Sequence, residues 1–224
     1  MASNHQSTER DTQPSVQRLL NLTDGVVAIA ITLLVLDLKI PVVNSITNIH
    51  SASQLWHQLS IQQAQYISYL ISFYVIALFW VIHHRILKDI VGHSSGLSVV
   101  NFFFLFTISV MPFSSNLLGR FPENPTALTI FAVNLILAEI TLLAISAFAV
   151  WKHLNSSRTS PVETLRRQIV AYGVIIVLTS SIVVAWAYPR RAADVWFLII
   201  LVPFVVNRFL AKRFGDQALE NQGL

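Results

Sequence analysis

Apolar residues are concentrated in six stretches of about 20 residues, separated by short segments that are polar or contain Pro and Gly. A helix of about 20 residues rises about 30 Å, the thickness of the hydrocarbon core of a bilayer. The pattern therefore predicts an all-α membrane protein with six transmembrane helices. The predicted spans are 16–40, 63–88, 97–118, 127–151, 165–188 and 194–211.

Polar segments frame these spans. Residues 1–15 are expected to form a flexible cytoplasmic tail and residues 215–224 a second tail, leaving 16–214 as a single six-span domain. In the long connection after the first span, residues 52–60 are expected to form a short interfacial helix through Leu55 and Trp56.

The composition excludes most soluble classes of protein. Apolar residues make up 54% of the 224 residues and charged residues 12%, against about 25% in soluble domains. The chain has no Cys, which excludes disulfides, zinc–thiolate sites and iron–sulfur clusters. No nucleophile–base pair or phosphate-binding loop supports an enzyme, and no cofactor is expected.

The net charge of +4 would suggest a nucleic-acid partner in a soluble protein, but membrane topology explains it here. Of the 15 Lys and Arg residues, four fall on one side of the predicted spans (Lys39, Arg120, Arg190 and Arg191), and the other eleven share the side of the N-terminus. The excess of positive charge predicts a multi-pass cell-membrane protein with both termini cytoplasmic and no nucleic-acid partner.

The first span carries unusual chemistry. Asp24 lies near its start, and a charged side chain there costs about 2.5–3.5 kcal/mol if it reaches the bilayer centre. Small residues follow, including Gly25, Ala28 and Ala30, and they allow neighbouring backbones to approach closely. We therefore expect this helix to be interior, with Asp24 paired or facing protein.

A stripe of branched apolar residues follows one face of this helix. At about 100° per residue, Ile29, Leu33 and Leu36 lie within about 60° of one another. Thr32 lies about 60° from Ile29, and Asp24 about 140° away. Ordinary helix packing is one interpretation. The other is a pore lined by several copies of this helix and closed by a hydrophobic ring, which gates by dewetting.

The same residues carry a resemblance to a known family. Arg18-x-x-x-Leu22-Thr23-Asp24 resembles the Arg-x-x-x-Phe-Ser-Asp signature of the transmembrane protein 175 family, the endosomal/lysosomal-type potassium channels. The similarity continues to residue 39 and resumes on the next two spans, at Phe79-Trp80-x-x-His83-His84-Arg85, Asn101-x-x-x-Leu105 and Met111-Pro112-Phe113. Leu22 and Thr23 depart from the usual Phe and Ser, but they keep an apolar contact and a hydroxyl. In the last three spans only helix count and loop placement agree.

The resemblance implies a homotetrameric, potassium-preferring cation channel whose first helices line a central pore. It implies that Ile29 forms the constriction and that Leu33 and Leu36 form further apolar rings. Thr32 matches the threonine associated with potassium preference, so that K⁺ passes at Ile29 and Thr32. The resemblance also implies a structural polar network that consists of Arg18, Thr23, Asp24, Trp80, His84 and Asn101.

Two acidic residues keep alternatives open. The chain has no Thr-Val-Gly-Tyr-Gly run, so no carbonyl filter of that kind is expected and selectivity should be modest. Asp37, about 80° from Ile29, either raises the cation concentration at the pore mouth or pairs with Lys39. Glu139, in the middle of the fourth span, is either protonated and hydrogen-bonded between helices or carries protons. If Glu139 carries protons, the alternative function is a proton-coupled secondary transporter. A non-conducting membrane scaffold is the third possibility.

Overall fold

The computed structural model describes residues 3–38, 52–92, 94–156 and 161–220, and these are almost entirely helical. Two short 3-10 helices, Pro189–Arg191 and Ala193–Trp196, precede the last α-helix. The α-helices are α1 (Ser3–Leu36), α2 (Ala52–Ile61), α3 (Gln63–Lys88), α4 (Ser95–Arg120), α5 (Pro125–Trp151), α6 (Pro161–Ala187) and α7 (Phe197–Glu220).

Six helical segments are long and apolar enough to cross a membrane, and they correspond to α1 and to α3 through α7. This confirms the predicted six-span, all-α architecture. The short helix expected at 52–60 is also present, as α2.

Helices α1 and α7 extend beyond the predicted spans. Helix α1 begins at Ser3 instead of residue 16, so the polar residues expected as a flexible tail form its first turns. Helix α7 continues to Glu220 instead of ending at residue 211. Hydropathy marks where a helix crosses an apolar layer, whereas its backbone hydrogen bonds continue into water.

Helix α4 is the centre of the bundle because it packs against α1, α3 and α5. Its side chains Phe104, Ile108 and Met111 are fully buried and fill the space between these helices. Gly119 brings α3 close, since a Cβ at this position would lie 3.2 Å from the Cα of Gln65. Since α1 packs against both α3 and α4, these two helices together set its position.

The remaining helices follow in chain order, with α6 packed against α5 and α7 packed against α6. Polar contacts close one end of this arrangement. The Arg167 guanidinium on α6 donates to the Asp89 carboxylate, which follows α3, at 3.0 Å. The backbone N–H of Ser156 donates to the Asp89 carbonyl at 2.8 Å. These contacts join the end of α3 to the segment between α5 and α6.

Candidate pore-lining site

One face of α1 is covered within the protomer and the other is open. Ala30 and Leu34 are each only 2% exposed, because α3 and α4 cover this side. Ile29 is 61% exposed and Leu36 is 73% exposed on the other side. The open face is therefore free to meet lipid, water or another subunit.

The predicted stripe lies on this open face. The structure leaves Leu33 exposed beside Ile29 and Leu36, and Leu22 extends the exposed row towards the N-terminus. A Cβ built on Gly25 would have no heavy atom within 4 Å, so the face is open there too. Among the described residues, no other helix covers this row of branched side chains.

Thr32 is the hydroxyl-bearing residue beside the stripe. Its side chain is exposed, and its Oγ1 donates to the carbonyl oxygens of Ala28 at 3.0 Å and Ile29 at 2.9 Å. Because the hydroxyl proton is held by the helix backbone, the lone pairs of the oxygen remain available on the open face. Such an oxygen suits a cation better than an anion.

Hydrogen bonds from α3 and α4 hold α1 on the side away from its open face. The indole N–H of Trp80 donates to Oδ1 of Asp24 at 2.7 Å. Nδ2 of Asn101 donates to Oγ1 of Thr23 at 3.3 Å, and both residues are fully buried. The structure thus brings together four of the residues expected in a polar network.

His83 completes this network, although the sequence pattern named His84. The Nε2 of His83 donates to Oδ1 of Asn101 at 2.6 Å, and its ring stacks on Phe104 with centroids 4.6 Å apart. His84 instead lies beside the Trp80 ring, at 5.5 Å between centroids. Helical spacing contains the missed signal, because position 83 continues the buried row of Ile76, Phe79 and Ile86.

Arg18 is placed differently from the rest of the expected network. Its side chain is exposed. Within the part of the chain that the structure describes, it takes part in none of the hydrogen bonds that join α1 to α3 and α4. Arg18 therefore does not tie α1 to its own protomer there.

Asp37 follows the last residue of α1 and is half-buried. It lines a small cavity together with Gln65 of α3 and Asn116 of α4. Its expected alternative partner, Lys39, lies outside the described residues. Asp37 therefore faces the flank of α1 that packs against its own protomer.

Glu139 lies in the middle of α5 and is buried, with 7% exposed. Its neighbours in sequence are apolar, and no hydrogen bond to its carboxyl group is found among the described residues. Helix α5 packs mainly against α4 and α6, so Glu139 is separate from the open face of α1.

Between Leu22 and Leu36, the exposed row of α1 carries apolar side chains, with the Thr32 hydroxyl beside it. Across the described ranges, no three His, Asp or Glu residues are grouped as a resident metal would require. The face offers an apolar surface and weak oxygen ligands, which suits passage of an ion better than tight binding.

Comparison with known proteins identifies the relatives of this chain. The family model described as "Endosomal/lysosomal potassium channel TMEM175" matches residues 18–112. A potassium channel of Streptomyces collinus is 31% identical over 138 residues, which is 62% of this chain and 64% of the relative. A potassium channel of Chamaesiphon minutus is 31% identical over 148 residues, which is 65% of this chain and 68% of the relative. The chain thus spans about two thirds of each. It belongs to the TMEM175 family.

The fold is similar to that of a solved TMEM175 structure. The crystal structure of a lysosomal potassium-selective channel TMEM175 homolog from Chamaesiphon minutus superposes with a TM-score of 0.63 at 24% identity. The match covers 89% of this chain and 98% of that one. The six-span fold is therefore shared over nearly the whole of both chains.

The residues matched to the TMEM175 family include the site described above. The matched range 18–112 covers the stripe on α1, the network residues on α3 and the first two thirds of α4. The family is one of ion channels, not of enzymes, in agreement with the sequence analysis. Glu139 lies outside the matched range.

Proposed function

We propose that the protein is a homotetrameric, potassium-preferring cation channel in which four copies of α1 surround a central pore. The observation that carries the proposal is the open face of α1, with Ile29 and Leu36 exposed and Ala30 and Leu34 buried. The two relatives compared above are named potassium channels, which supports the choice of ion.

Ile29 forms the narrowest ring of this pore, and Leu33 and Leu36 extend the apolar lining. Four branched side chains around an axis leave a passage from which water withdraws, and this creates a steep barrier to ions. Small changes in ring diameter then control conduction. The Ile29 ring thus both opposes the passage of ions and controls conduction through its diameter.

Thr32 biases the choice of ion. Four Thr32 oxygens beside the Ile29 ring replace part of the hydration shell of K⁺, because their protons are donated to backbone carbonyls. No run of backbone carbonyls of the Thr-Val-Gly-Tyr-Gly kind contributes. Selectivity is therefore modest and comes from side chains.

The network behind α1 fixes its rotation. A turn of the helix by one residue would move Ile29 about 100° away from the axis. The hydrogen bonds of Thr23 and Asp24 to α4 and α3 oppose this turn, and they lie about one and a half turns below the constriction. Pore geometry thus depends on side chains that no ion touches.

Oligomerisation follows from the same geometry. One copy of α1 cannot enclose a passage, so identical subunits close a ring around the axis. We assign residues 16–214 to the channel domain and place both termini in the cytoplasm, because eleven of 15 Lys and Arg residues fall on that side. Asp37 then lies at the outer end of α1, where four copies add negative potential to the pore mouth.

Flux into liposomes tests the channel. Purified protein is reconstituted in vesicles with an outward K⁺ gradient and no proton or Na⁺ gradient, and K⁺ efflux is followed with a potential-sensitive dye. We expect efflux that needs only the K⁺ gradient. Folded protein that passes no K⁺ under this condition would exclude the proposal.

Subunit count tests the assembly independently. Native mass measurement of the protein in detergent should give four subunits of 25.1 kDa each. A purely monomeric or dimeric protein would contradict a pore built from four copies of α1, because too few helices would surround the axis.

A proton-coupled carrier is a second candidate, and the burial of Glu139 within α5 favours it. For the channel, Glu139→Gln changes K⁺ efflux by less than about twofold, since α5 is remote from the open face. For the carrier, transport requires a proton gradient and disappears in Glu139→Gln. Measuring K⁺ transport by the wild-type protein and by Glu139→Gln, with and without a pH gradient, separates the two functions.

A further inference from the structure

A small cavity lies beside the outer end of α1, on the flank away from the proposed pore. Its volume is about 10 Å³. The lining comes from the end of α1, from α3 and from α4, and includes Leu34, Asp37, Gln65, Ser115, Asn116 and Gly119. One unhydrated small species fills a space of this size.

The cavity lining contains an acceptor that lacks a donor among the described residues. The Oε1 atom of Gln65 is buried and has no hydrogen-bond partner within this part of the chain. A buried carbonyl oxygen without a partner is unfavourable and is rare in native proteins. The Asp37 carboxylate adds further lone pairs and a negative charge to the same cavity.

The serine hydroxyl groups beside this space donate elsewhere. Oγ of Ser68 donates to the Ser115 carbonyl at 2.8 Å, and Oγ of Ser72 donates to Oγ of Ser115 at 2.7 Å. Oγ of Ser115 donates back to the Ser68 carbonyl at 3.4 Å. These three protons join α3 to α4 and are not donated to Asp37 or to Oε1 of Gln65.

We propose that this cavity binds one dehydrated alkali-metal cation, with the Asp37 carboxylate and Oε1 of Gln65 as ligands. Oxygen ligands suit hard cations, and a single carboxylate balances a single positive charge. The volume of about 10 Å³ leaves room for about one water-sized species. Tyr69, Ser115 and Asn116 contribute the other polar side chains of the lining.

The bound cation joins the outer end of α1 to α3 and α4, as the hydrogen bonds of Thr23 and Asp24 do nearer the other end. It also neutralises Asp37 and so lowers the negative potential at the pore mouth. This last consequence rests on the proposed function, whereas the site itself requires only one protomer.

Thermal unfolding of the full chain in detergent tests the site. Melting is compared at constant ionic strength in chloride salts of Li⁺, Na⁺, K⁺ and N-methyl-D-glucamine, the last being too large for the cavity. We expect a saturable rise in Tm with at least one alkali cation, because a ligand that binds only the folded state stabilises it. Equal Tm values in all four salts would show that the cavity holds water alone and would overturn the proposal.

Three variants assign the response to the cavity. Gln65→Met removes the orphaned oxygen and should weaken the apparent cation affinity about tenfold, whereas Gln63→Met, at an exposed position of α3, should not. If Gln65→Met does not fold, Asp37→Asn replaces it and should likewise weaken the apparent cation affinity. Thr32→Val should keep the response. Loss of the response in Thr32→Val and its retention in Gln65→Met would place the cation in the pore and overturn the assignment.

Discussion

Helices α1 and α7 both expose large apolar side chains, but they differ in what else they carry. On α7, Phe197 and Phe204 are 70% and 66% exposed, and residues 197–206 are all apolar. On α1, the exposed row is accompanied by Gly25 and by the hydroxyl of Thr32. An all-apolar face suits lipid, whereas a face with oxygen atoms and an open Gly suits a water-containing passage.

The two helices are also held differently. Helix α7 packs closely on α6 at Gly173, where a Cβ would meet Cγ1 of Val202 at 2.6 Å, and Arg166 donates to Asn207 at 2.6 Å. Helix α1 is held by hydrogen bonds to two helices, of which the Asn101–Thr23 bond is buried and the Trp80–Asp24 bond is exposed. Exposure alone therefore does not distinguish the two helices, but the hydrogen bonds that α1 receives from both α3 and α4 do.

The largest effect should come from placing the same polar residue on each face. In the proposed pore, Ile29→Asn would place an amide from each subunit at the constriction and should raise K⁺ efflux about a hundredfold, since each 1.4 kcal/mol removed from a barrier gives about a tenfold rate. Leu201→Asn, at an exposed position of α7, should leave efflux per folded channel unchanged and lower stability. Vesicle flux and thermal unfolding measure the two outcomes.

A rise in efflux from Leu201→Asn that equals the rise from Ile29→Asn would break the comparison between the helices. It would mean that α7 also borders the conduction path. Equal protein incorporation in the vesicles, measured by gel densitometry, serves as the control.

A smaller effect should follow from removing the anchor behind α1. His83→Ala leaves Oδ1 of Asn101 without its donor and opens a space beside Phe104, so we expect a loss of about 2 kcal/mol in unfolding free energy. His84→Ala, which removes only a ring beside Trp80, should cost less than about 1 kcal/mol. Denaturant unfolding in detergent compares the two. A greater loss for His84→Ala would contradict the assignment of His83 to the network.

The smallest effect should be on ion preference. Thr32→Val removes a hydroxyl from the open face of α1 and should lower the K⁺/Na⁺ permeability ratio about threefold, which corresponds to less than about 1 kcal/mol. Thr179→Val on α6 is a matched control, since Thr179 is also exposed and its Oγ1 donates to the Ile175 carbonyl at 2.8 Å. Bi-ionic reversal potentials measure the ratio. An equal change in both variants would remove Thr32 from the selectivity mechanism.

Much of the fold follows from patterns that the sequence contains locally. Six apolar stretches predicted six spans, because crossing a bilayer requires about 20 consecutive apolar residues. Helical periodicity also placed Ile29, Leu33 and Leu36 on one face, because the rotation per residue is constant. The ends of α1 and α7 were predicted less well, because hydropathy carries no information on where a helix continues in water.

The role of His83 shows the limit of motif reading. The motif contains histidines at positions 83 and 84, and the resemblance assigned only His84 to the network, but the two side chains point about 100° apart on α3. Only the packing of α3 against α4 decides that His83 is buried against Phe104 and that His84 lies beside Trp80. The packing of α1 against these helices also places Asp37 and Gln65 on one cavity.

By itself the sequence determined the number of spans, the chemistry of each helix face and the family to which the chain belongs. These depend on side-chain identity and on the constant geometry of a helix. The tertiary structure alone decided which face of α1 stays open, which histidine anchors it and where the polar cavity lies. Those features depend on distances between helices that are remote in sequence, and such distances are set by the packing of whole surfaces.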